Sequence, residues 1–178
     1  MTRHIFILIA LCLVSTTASA GNILLDDPTD IKYTPGAEEI WKEGEVKLPE
    51  KVHQDALQAF EVGAGKQQFE YLIDTTSLET GADGVTRFLL VIRSRSGVDN
   101  SSYEGFRCRE RLYKVYGYGD ANKLFPASDT DWQLIPKDES TDYRAALYDD
   151  MICNLLTGKP NDPDEVFRAM RSHRRVSE

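Results

Sequence analysis

Histidine and cysteine are both scarce in this chain of 178 residues, which has three of each. Outside the apolar N-terminal segment the histidines are His53 and His173, far apart in the sequence. A zinc site rich in histidine, or a Ser-His-Asp arrangement, needs more such residues than these. The chain also has no P-loop and no G-x-G-x-x-G motif. We therefore predict solvated histidines, no metal site and no cofactor.

Basic residues are fewer than acidic ones, with 21 Lys and Arg against 29 Asp and Glu, so the formal net charge is −8. Nucleic-acid binding rests on the neutralisation of phosphates by Lys and Arg, so this balance argues against it. The same balance disfavours adhesion to an anionic membrane surface. The hydrophobic content of 41% is enough for the core of one domain.

The chain also lacks an apolar run long enough to cross a bilayer, and its longest apolar run is near the N-terminus. Residues 5–14 form this run behind Arg3, and it is too short for a bilayer, which needs roughly 20 apolar residues. Ala18-Ser19-Ala20 follows at the spacing that signal peptidase recognises. We predict a signal peptide over residues 1–20, cleavage after Ala20, and a periplasmic protein without a membrane anchor. The alternative is a buried N-terminal helix or a retained anchor.

Removal of this leader takes away Cys12 and leaves Cys108 and Cys153, which are 45 positions apart. An even number of cysteines is typical of exported proteins in oxidising compartments. The spacing excludes a C-x-x-C redox motif. We predict one structural disulfide, and the alternative is two buried thiols.

The chain between residues 21 and 66 is rich in proline and charge and has few apolar residues. We interpret it as an extended arm that packs on a single domain formed by residues 67–178. A helical turn between Val52 and Phe60 is possible within the arm.

The middle of the chain has the pattern of a β-sheet. Apolar residues alternate over 69–74, and both faces are apolar over 87–93, which is typical of a central strand. Further strands are predicted over 111–118 and 132–135. The dipeptide Asp83-Gly84 indicates a hairpin turn. We therefore expect an antiparallel sheet of about four strands.

Two helices are predicted after the sheet, which makes the fold class α+β. An apolar stripe runs from Tyr143 to Leu155, with Thr141 or Ser140 as the N-cap and Cys153 on its flank. A second helix starts at Pro163 behind the cap residue Asp162. We expect the tail from Arg171 onwards to fray.

Arginines are concentrated on the predicted middle strands of this acidic chain. An arginine fork can hold a carboxylate or a phosphate, and we take Arg87, Tyr103, Glu104 and Arg107 as candidate binding residues. The alternative is that the arginines lie on a solvent face and pair with the excess carboxylates. The acidic pair Asp149-Asp150 does not match a calcium loop, so we interpret it as solvated. No residue is assigned a catalytic role.

Several blocks of sequence resemble the CNP1-like family, named after a cryptic neisserial protein. The blocks are Asp74-x-x-Ser77-Leu78-x-x-Gly81-x-Asp83-Gly84-Val85-x-Arg87-Phe88, Ser96-Gly97, Tyr103-Glu104-Gly105-Phe106-Arg107-Cys108, Tyr113-Lys114-x-Tyr116 and Trp132, with Trp41 and Leu48-Pro49 upstream. The resemblance covers roughly residues 41–135. It implies an exported proteobacterial protein, and it implies no particular reaction.

Two functions remain open from the sequence. The first is a non-enzymatic periplasmic module that binds an envelope component or a periplasmic protein. The second is an enzyme for an anionic envelope substrate, with Glu104 as acid or base and Arg107 as clamp. A desolvated Glu104 beside arginines in a pocket would favour the enzyme, whereas a charge-paired surface would favour the binding module.

Overall fold

The computed structural model describes residues 41–63, 68–128, 130–137 and 142–173. The predicted leader, its cleavage site after Ala20 and the predicted cap residues Ser140 and Thr141 lie outside these ranges. Within them, seven strands form one antiparallel sheet. The strands are β1 (Leu57–Phe60), β2 (Phe69–Thr80), β3 (Val85–Ser94), β4 (Asp99–Arg107), β5 (Leu112–Gly119), β6 (Leu124–Pro126) and β7 (Gln133–Leu134).

The strand order follows the chain from β1 to β6, and β7 pairs with β5 beyond the end of β6. The four predicted strands are present as β2, β3, β5 and β7. The expected number of about four is wrong, because β1, β4 and β6 belong to the same sheet. The predicted hairpin turn joins β2 and β3, where Gly84 has φ +75° and its amide donates to the Gly81 carbonyl at 2.9 Å.

Strand β4, which lies between β3 and β5, was not predicted from the sequence. Asn100 and Gly105 are residue types that are depleted in strands, and Ser101 and Ser102 are polar, so the segment shows no alternation of apolar residues. Burial of its polar side chains is supported by bonds within the fold, and Ser101 Oγ donates to the Asp120 carbonyl at 2.7 Å. Tertiary pairing therefore overrides the weak propensity of this segment.

The segment before the sheet has a short 3₁₀ turn, Gln54–Ala56, and then joins the sheet as β1. The turn takes the place of the helical turn that was considered between Val52 and Phe60. Val52 and Phe60 are both buried, Val52 on one face of the sheet and Phe60 on the other.

Apolar side chains cover both faces of the sheet, because alternate residues of a strand point to opposite sides. One face packs against the C-terminal helices, and we call it the helix face. The other packs against residues that precede β1, and we call it the N-terminal face. Its apolar cluster comprises Val52, Leu72, Leu89, Val91, Tyr103 and Leu124, with Val46, Leu48, Leu57, Ala59 and Tyr116 packed against them.

The first helix is shorter than its apolar stripe predicted. Helix α1 (Tyr143–Leu147) continues as a π-helical turn, Tyr148–Ile152, and the chain then enters a small hairpin of β8 (Cys153–Asn154) and β9 (Lys159–Pro160). Cys153 is thus in a strand and not on a helix flank. The N-cap is Asp142, whose Oδ1 accepts from the amides of Arg144 at 2.7 Å and Ala145 at 3.1 Å.

Helix α2 (Pro163–His173) starts at the predicted residue. It includes Arg171, so the first residues of the tail that was expected to fray are helical. Its buried residues Val166 and Met170 pack in the cluster of the helix face. In the described part of the chain, no helix is both long enough and apolar enough to span a bilayer.

A disulfide joins Cys108, directly after β4, to Cys153 in β8, with 5.4 Å between the two Cα atoms. This distance lies in the usual range for a disulfide, so the predicted bridge is confirmed. Tyr148 reinforces it, because its hydroxyl donates to the Cys108 carbonyl. The bridge holds the segment after α1 against the end of β4.

Candidate functional site

The structure places the four candidate residues on opposite faces of the sheet. Glu104 contacts α1 on the helix face, whereas Tyr103 belongs to the apolar cluster of the N-terminal face. Arg87 pairs with Gly105 across β3 and β4, so Arg87 and Arg107 lie on the N-terminal face with Tyr103. No single site on either face contains all four.

Glu104 is fully buried, and hydrogen-bond donors surround its carboxylate. Oε1 accepts from Ser102 Oγ at 2.7 Å, from Tyr143 Oη at 2.9 Å and from Arg144 Nη2 at 3.0 Å, and Oε2 accepts from Arg144 Nε at 2.8 Å. Burial together with the adjacent Glu104 raises the pKa of Tyr143 far above its usual range. Burial alone would lower the pKa of Arg144, but Glu104 outweighs it and raises that pKa.

Arg144 is the basic partner of the Glu104 carboxylate, and it was not among the residues predicted from the sequence. Its guanidinium also lies over the rings of Tyr113, at 4.1 Å, and Tyr143, at 4.6 Å. The arginine beside the desolvated Glu104 is therefore Arg144 and not Arg107. An arginine one residue into a predicted helix is a weak signal, and nothing in its spacing indicated a partner 40 positions away.

Arg87 is buried on the N-terminal face and forms a bidentate ion pair with Asp83. Nη2 lies 2.6 Å from Oδ2 and Nη1 lies 3.1 Å from Oδ1, whereas the buried Nε has no partner among the described residues. Burial would raise the pKa of Asp83, but hydrogen bonds from Arg87 and from the amides of Gly44 and Val85 lower it to about 2. The pair fixes the β2–β3 turn.

Arg107 is part of a cluster with both tryptophans of the chain. Its guanidinium lies 3.8 Å from the ring centroid of Trp41 and 5.6 Å from that of Trp132, and the two rings meet edge to face at 5.8 Å. Nη2 donates to Glu110 Oε1 at 2.7 Å. Trp41 Nε1 donates to the Asp83 carbonyl at 2.9 Å, so the cluster is joined to the Arg87–Asp83 pair.

Glu43 adds a second layer of charge to this face. Its carboxylate accepts from Lys114 Nζ at 2.8 Å and from Tyr116 Oη at 2.7 Å. Burial would raise the pKa of Glu43, but these two bonds lower it below its usual value. Gly105 makes room for the tyrosine, because a Cβ there would lie 2.8 Å from Tyr116 Cε2. Glu43 carried no signal in the sequence that distinguished it from other acidic residues of the segment.

Tyr103 is buried, and its hydroxyl donates to Glu79 Oε1 at 3.4 Å. Burial, with a further contribution from Glu79, raises the pKa of this phenol to about 12. Its ring is 5.9 Å from that of Tyr116. Tyr103 thus packs in the N-terminal face and does not present its hydroxyl to solvent.

His53 is exposed but bonded. Its Nδ1 lies 3.0 Å from Asp74 Oδ2 and 3.0 Å from Thr76 Oγ1, and its amide donates to Asp74 Oδ2 at 2.8 Å. A Ser-His-Asp type arrangement uses different ring nitrogens for the acid and the nucleophile. Here both contact the same nitrogen, so the group fixes the segment before β1. The ring of His173 is not among the described side chains.

Arg111 occupies an open groove of about 620 Å³ beside the disulfide. Its Nη1 and Nη2 donate to Asp149 at 2.5 and 2.8 Å, and it also bonds the carbonyls of Ile135 and Pro136. Asp149 is therefore an ion-pair partner, and its side chain keeps 36% of its surface exposed, so the interpretation as a solvated carboxylate is only partly right. Arg93 likewise pairs with Asp99, at 2.7 Å, so several of the clustered arginines stabilise carboxylates as the alternative interpretation expected.

Across the residues that the structure describes, no three of His, Cys, Asp and Glu are grouped so that they would hold a metal ion. Each carboxylate named above accepts a hydrogen bond from an Arg, Lys or Tyr side chain or from a backbone amide. The geometry of these groups is suited to holding strands and helices together.

Comparison with known proteins agrees with the blocks of sequence noted above. The model of the CNP1-like family matches residues 36–171. Cryptic neisserial protein 1 from Neisseria gonorrhoeae (strain ATCC 700825 / FA 1090) is 30% identical in an alignment of 153 residues, and the match covers 75% of this chain and 75% of that protein. No solved structure matches the chain.

Proposed function

The chain belongs to the CNP1-like family, and on that basis we propose that it is exported and serves as a non-enzymatic binding or structural module of the cell envelope. The partner is an envelope component or a periplasmic protein. Nucleic acid is a poor candidate, because the chain has a formal net charge of −8.

Export is supported by the leader-like N-terminus and by the disulfide. The bond between Cys108 and Cys153 is of the kind that persists in oxidising compartments such as the periplasm. We propose that the leader is removed after Ala20, which leaves Gly21 as the first residue and no membrane anchor.

The single observation that supports the non-enzymatic role is that the Glu104 carboxylate is buried with its hydrogen-bonding positions filled by protein donors. A general acid or base must reach the proton that it transfers. The carboxylate of Glu104 is fully buried and accepts four hydrogen bonds, two of them from Arg144. Its environment is that of a structural ion pair.

The enzymatic alternative required Glu104 and Arg107 to act on one substrate. The two side chains lie on opposite faces of β4, and Arg107 is held by Trp41 and Glu110. A substrate clamped by Arg107 would be separated from Glu104 by the sheet itself. This geometry favours the binding or structural module.

Processing is tested on the full-length precursor produced in a Gram-negative host. The intact mass of the periplasmic form should correspond to residues 21–178 with one disulfide. A matched variant, Ala18→Leu with Ala20→Leu, should keep the leader, because signal peptidase requires small residues at these positions. A retained leader on the unmodified chain, or a lipid on Cys12, would contradict the proposal.

The non-enzymatic role is tested with isolated envelopes and the purified mature chain. Mass spectrometry of extracted envelope components should show retention of a component on the immobilised protein and no new product after incubation. A product formed by the natural chain, but not by an equal folded amount of Glu104→Gln, would show that Glu104 takes part in catalysis and that the proposal is wrong.

A further inference from the structure

The β8–β9 hairpin exposes leucines at its tip. Leu156 is 98% exposed and Leu155 is 60% exposed, and Leu134 of β7 is 73% exposed. Leu134 and Leu155 line the same groove beside the disulfide, and Leu156 follows Leu155 directly in the chain. We call them, together with Arg109, Lys137 and Lys159, the leucine surface.

The hairpin holds its leucines in a defined position. Asn154 Oδ1 accepts from the amides of Leu156 and Thr157, each at 3.1 Å, and the Gly158 amide donates to the Asn154 carbonyl at 2.8 Å. Gly158 has φ +66°, a conformation that favours glycine. The disulfide anchors the base of the hairpin at Cys153. Leu156 is therefore held exposed by a hydrogen-bonded turn.

Cations surround these leucines. Arg109 and Lys137 line the groove and Lys159 is in β9, and the side chains of all three are exposed without a hydrogen-bond or ion-pair partner among the described residues. Gly158 packs close to Arg109, since a Cβ on this glycine would lie 3.6 Å from Arg109 Cα. The hairpin and the three cations thus form one continuous surface.

The two acidic groups that line the groove are paired. Glu110 pairs with Arg107 at 2.7 Å, and Asp149 pairs with Arg111 at 2.5 Å. Among the described residues of the groove lining and the hairpin, basic side chains therefore outnumber acidic ones, although the whole chain has a net charge of −8. At about 0.1 M salt the Debye length is about 10 Å, so distant acidic residues are screened while groups in contact are not.

We propose that the leucine surface binds the anionic phospholipid surface of the envelope, with the leucines inserted among the acyl chains and the three cations on the phosphates. Exposed apolar side chains flanked by Lys and Arg are the features that place a protein in a membrane interface. The contact is reversible and does not span the bilayer. This contact specifies a partner for the proposed function. It rests on the proposed function, because export is what brings the chain to an envelope membrane.

The expectation that an acidic chain avoids anionic membranes came from an average over all residues. In the part of the chain that the structure describes, Arg109, Lys137 and Lys159 are without an ion-pair partner and lie in the same region as the exposed leucines. A protein partner with an acidic groove would meet the same surface. Leu156 is 98% exposed at the tip of the β8–β9 hairpin. This favours a lipid surface over a protein partner, because insertion among acyl chains needs no preformed pocket.

The proposal is tested by sedimentation of the mature, disulfide-bonded chain with vesicles at about 0.1 M salt. Vesicles of phosphatidylglycerol and phosphatidylethanolamine should bind the chain, and vesicles of phosphatidylcholine should bind it far more weakly. Leu156→Ser should lower the partition coefficient by at least about tenfold, because a fully buried leucine contributes more than the roughly 1.4 kcal/mol that a factor of ten represents. Lys159→Gln should lower it about fivefold, since one cation near such a surface contributes about 1 kcal/mol.

Val98→Ser is the matched control, because Val98 is also exposed but follows β3, at the opposite end of β4 from the disulfide. It should bind like the natural chain. Absence of binding to phosphatidylglycerol vesicles, or equal binding by all three variants, would overturn the proposal. Binding of an acidic, leucine-containing peptide without vesicle binding would also overturn it. None of these results depends on leader processing or on catalysis, which are measured separately.

Discussion

Arg144 Nε lies 2.8 Å from Glu104 Oε2, and this ion pair joins the N-terminal turn of α1 to the interior strand β4. The carboxylate has no exposed surface, whereas the arginine retains some contact with solvent. A buried charge of this kind is stable only when it is paired and hydrogen-bonded. The pair therefore explains how β4 can carry a glutamate into the core.

Replacement of Glu104 by Gln should reduce the free energy of unfolding by about 3 kcal/mol, because it leaves Arg144 without its charge partner in a buried site. Urea unfolding monitored by circular dichroism, with the disulfide intact, measures the effect. Glu45→Gln is the control, because Glu45 is exposed and has no side-chain partner among the described residues. An equal stability of the two variants would show that the ion pair is not stabilising.

Removal of the disulfide should destabilise the fold by about 4 kcal/mol in the chain-entropy model, given the 45-residue separation of Cys108 and Cys153. The double variant Cys108→Ala, Cys153→Ala and the reduced natural chain should unfold at similar urea concentrations. Reductant should leave the double variant unchanged. If reduction does not shift the unfolding of the natural chain, the bridge does not stabilise the fold.

Arg107→Ala should lower the free energy of unfolding by about 1 to 2 kcal/mol, because it removes the cation that stacks on Trp41 and lies near Trp132. The chain has two tryptophans, and Trp41 and Trp132 both belong to this cluster, so intrinsic fluorescence reports on it directly. Emission should shift to longer wavelength in the variant. The neighbouring change Arg109→Ala should alter neither quantity. Unchanged stability and emission in Arg107→Ala would rule out a structural role for Arg107.

The ion pair of Asp83 with Arg87 predicts a loss of stability in acid. The pKa of Asp83 is about 2 in the folded chain and near 4 in an unfolded one, so the unfolded chain binds more protons between these values. The stabilisation is therefore complete above about pH 4 and is lost as the pH falls to about 2. It amounts to about 2 kcal/mol.

Urea unfolding between pH 5 and pH 2 tests this prediction. Asp83→Asn should be less stable than the natural chain at pH 5, and the difference should narrow by about 2 kcal/mol at pH 2. Other carboxylates with lowered pKa values, such as Asp74, contribute equally to both proteins and cancel in the comparison. The exposed Asp55→Asn is the control and should follow the natural chain. Parallel profiles for Asp83→Asn and the natural chain would contradict the prediction.

The sequence by itself determined the features that depend on local patterns. The pattern of apolar residues predicted four of the strands, with alternation over 69–74 and two apolar faces over 87–93. Asp83-Gly84 predicted the hairpin turn, and Pro163 marked the start of α2. The even number of cysteines predicted the bridge between Cys108 and Cys153. Each of these signals acts over a few residues, or by counting, and needs no knowledge of spatial neighbours.

Tertiary structure alone decided the identity of β4 and the separation of Glu104 from Arg107. Residues 99–107 include Asp99, Asn100 and Gly105, which are disfavoured in strands, and they pair because β3 and β5 flank them and Arg144 neutralises their buried carboxylate. The partner of Glu104 lies 40 positions away, so no local pattern encodes it. Leu155 likewise looked like the end of a helix stripe in sequence, whereas the chain enters a strand at Cys153 and the hairpin exposes Leu155 and Leu156.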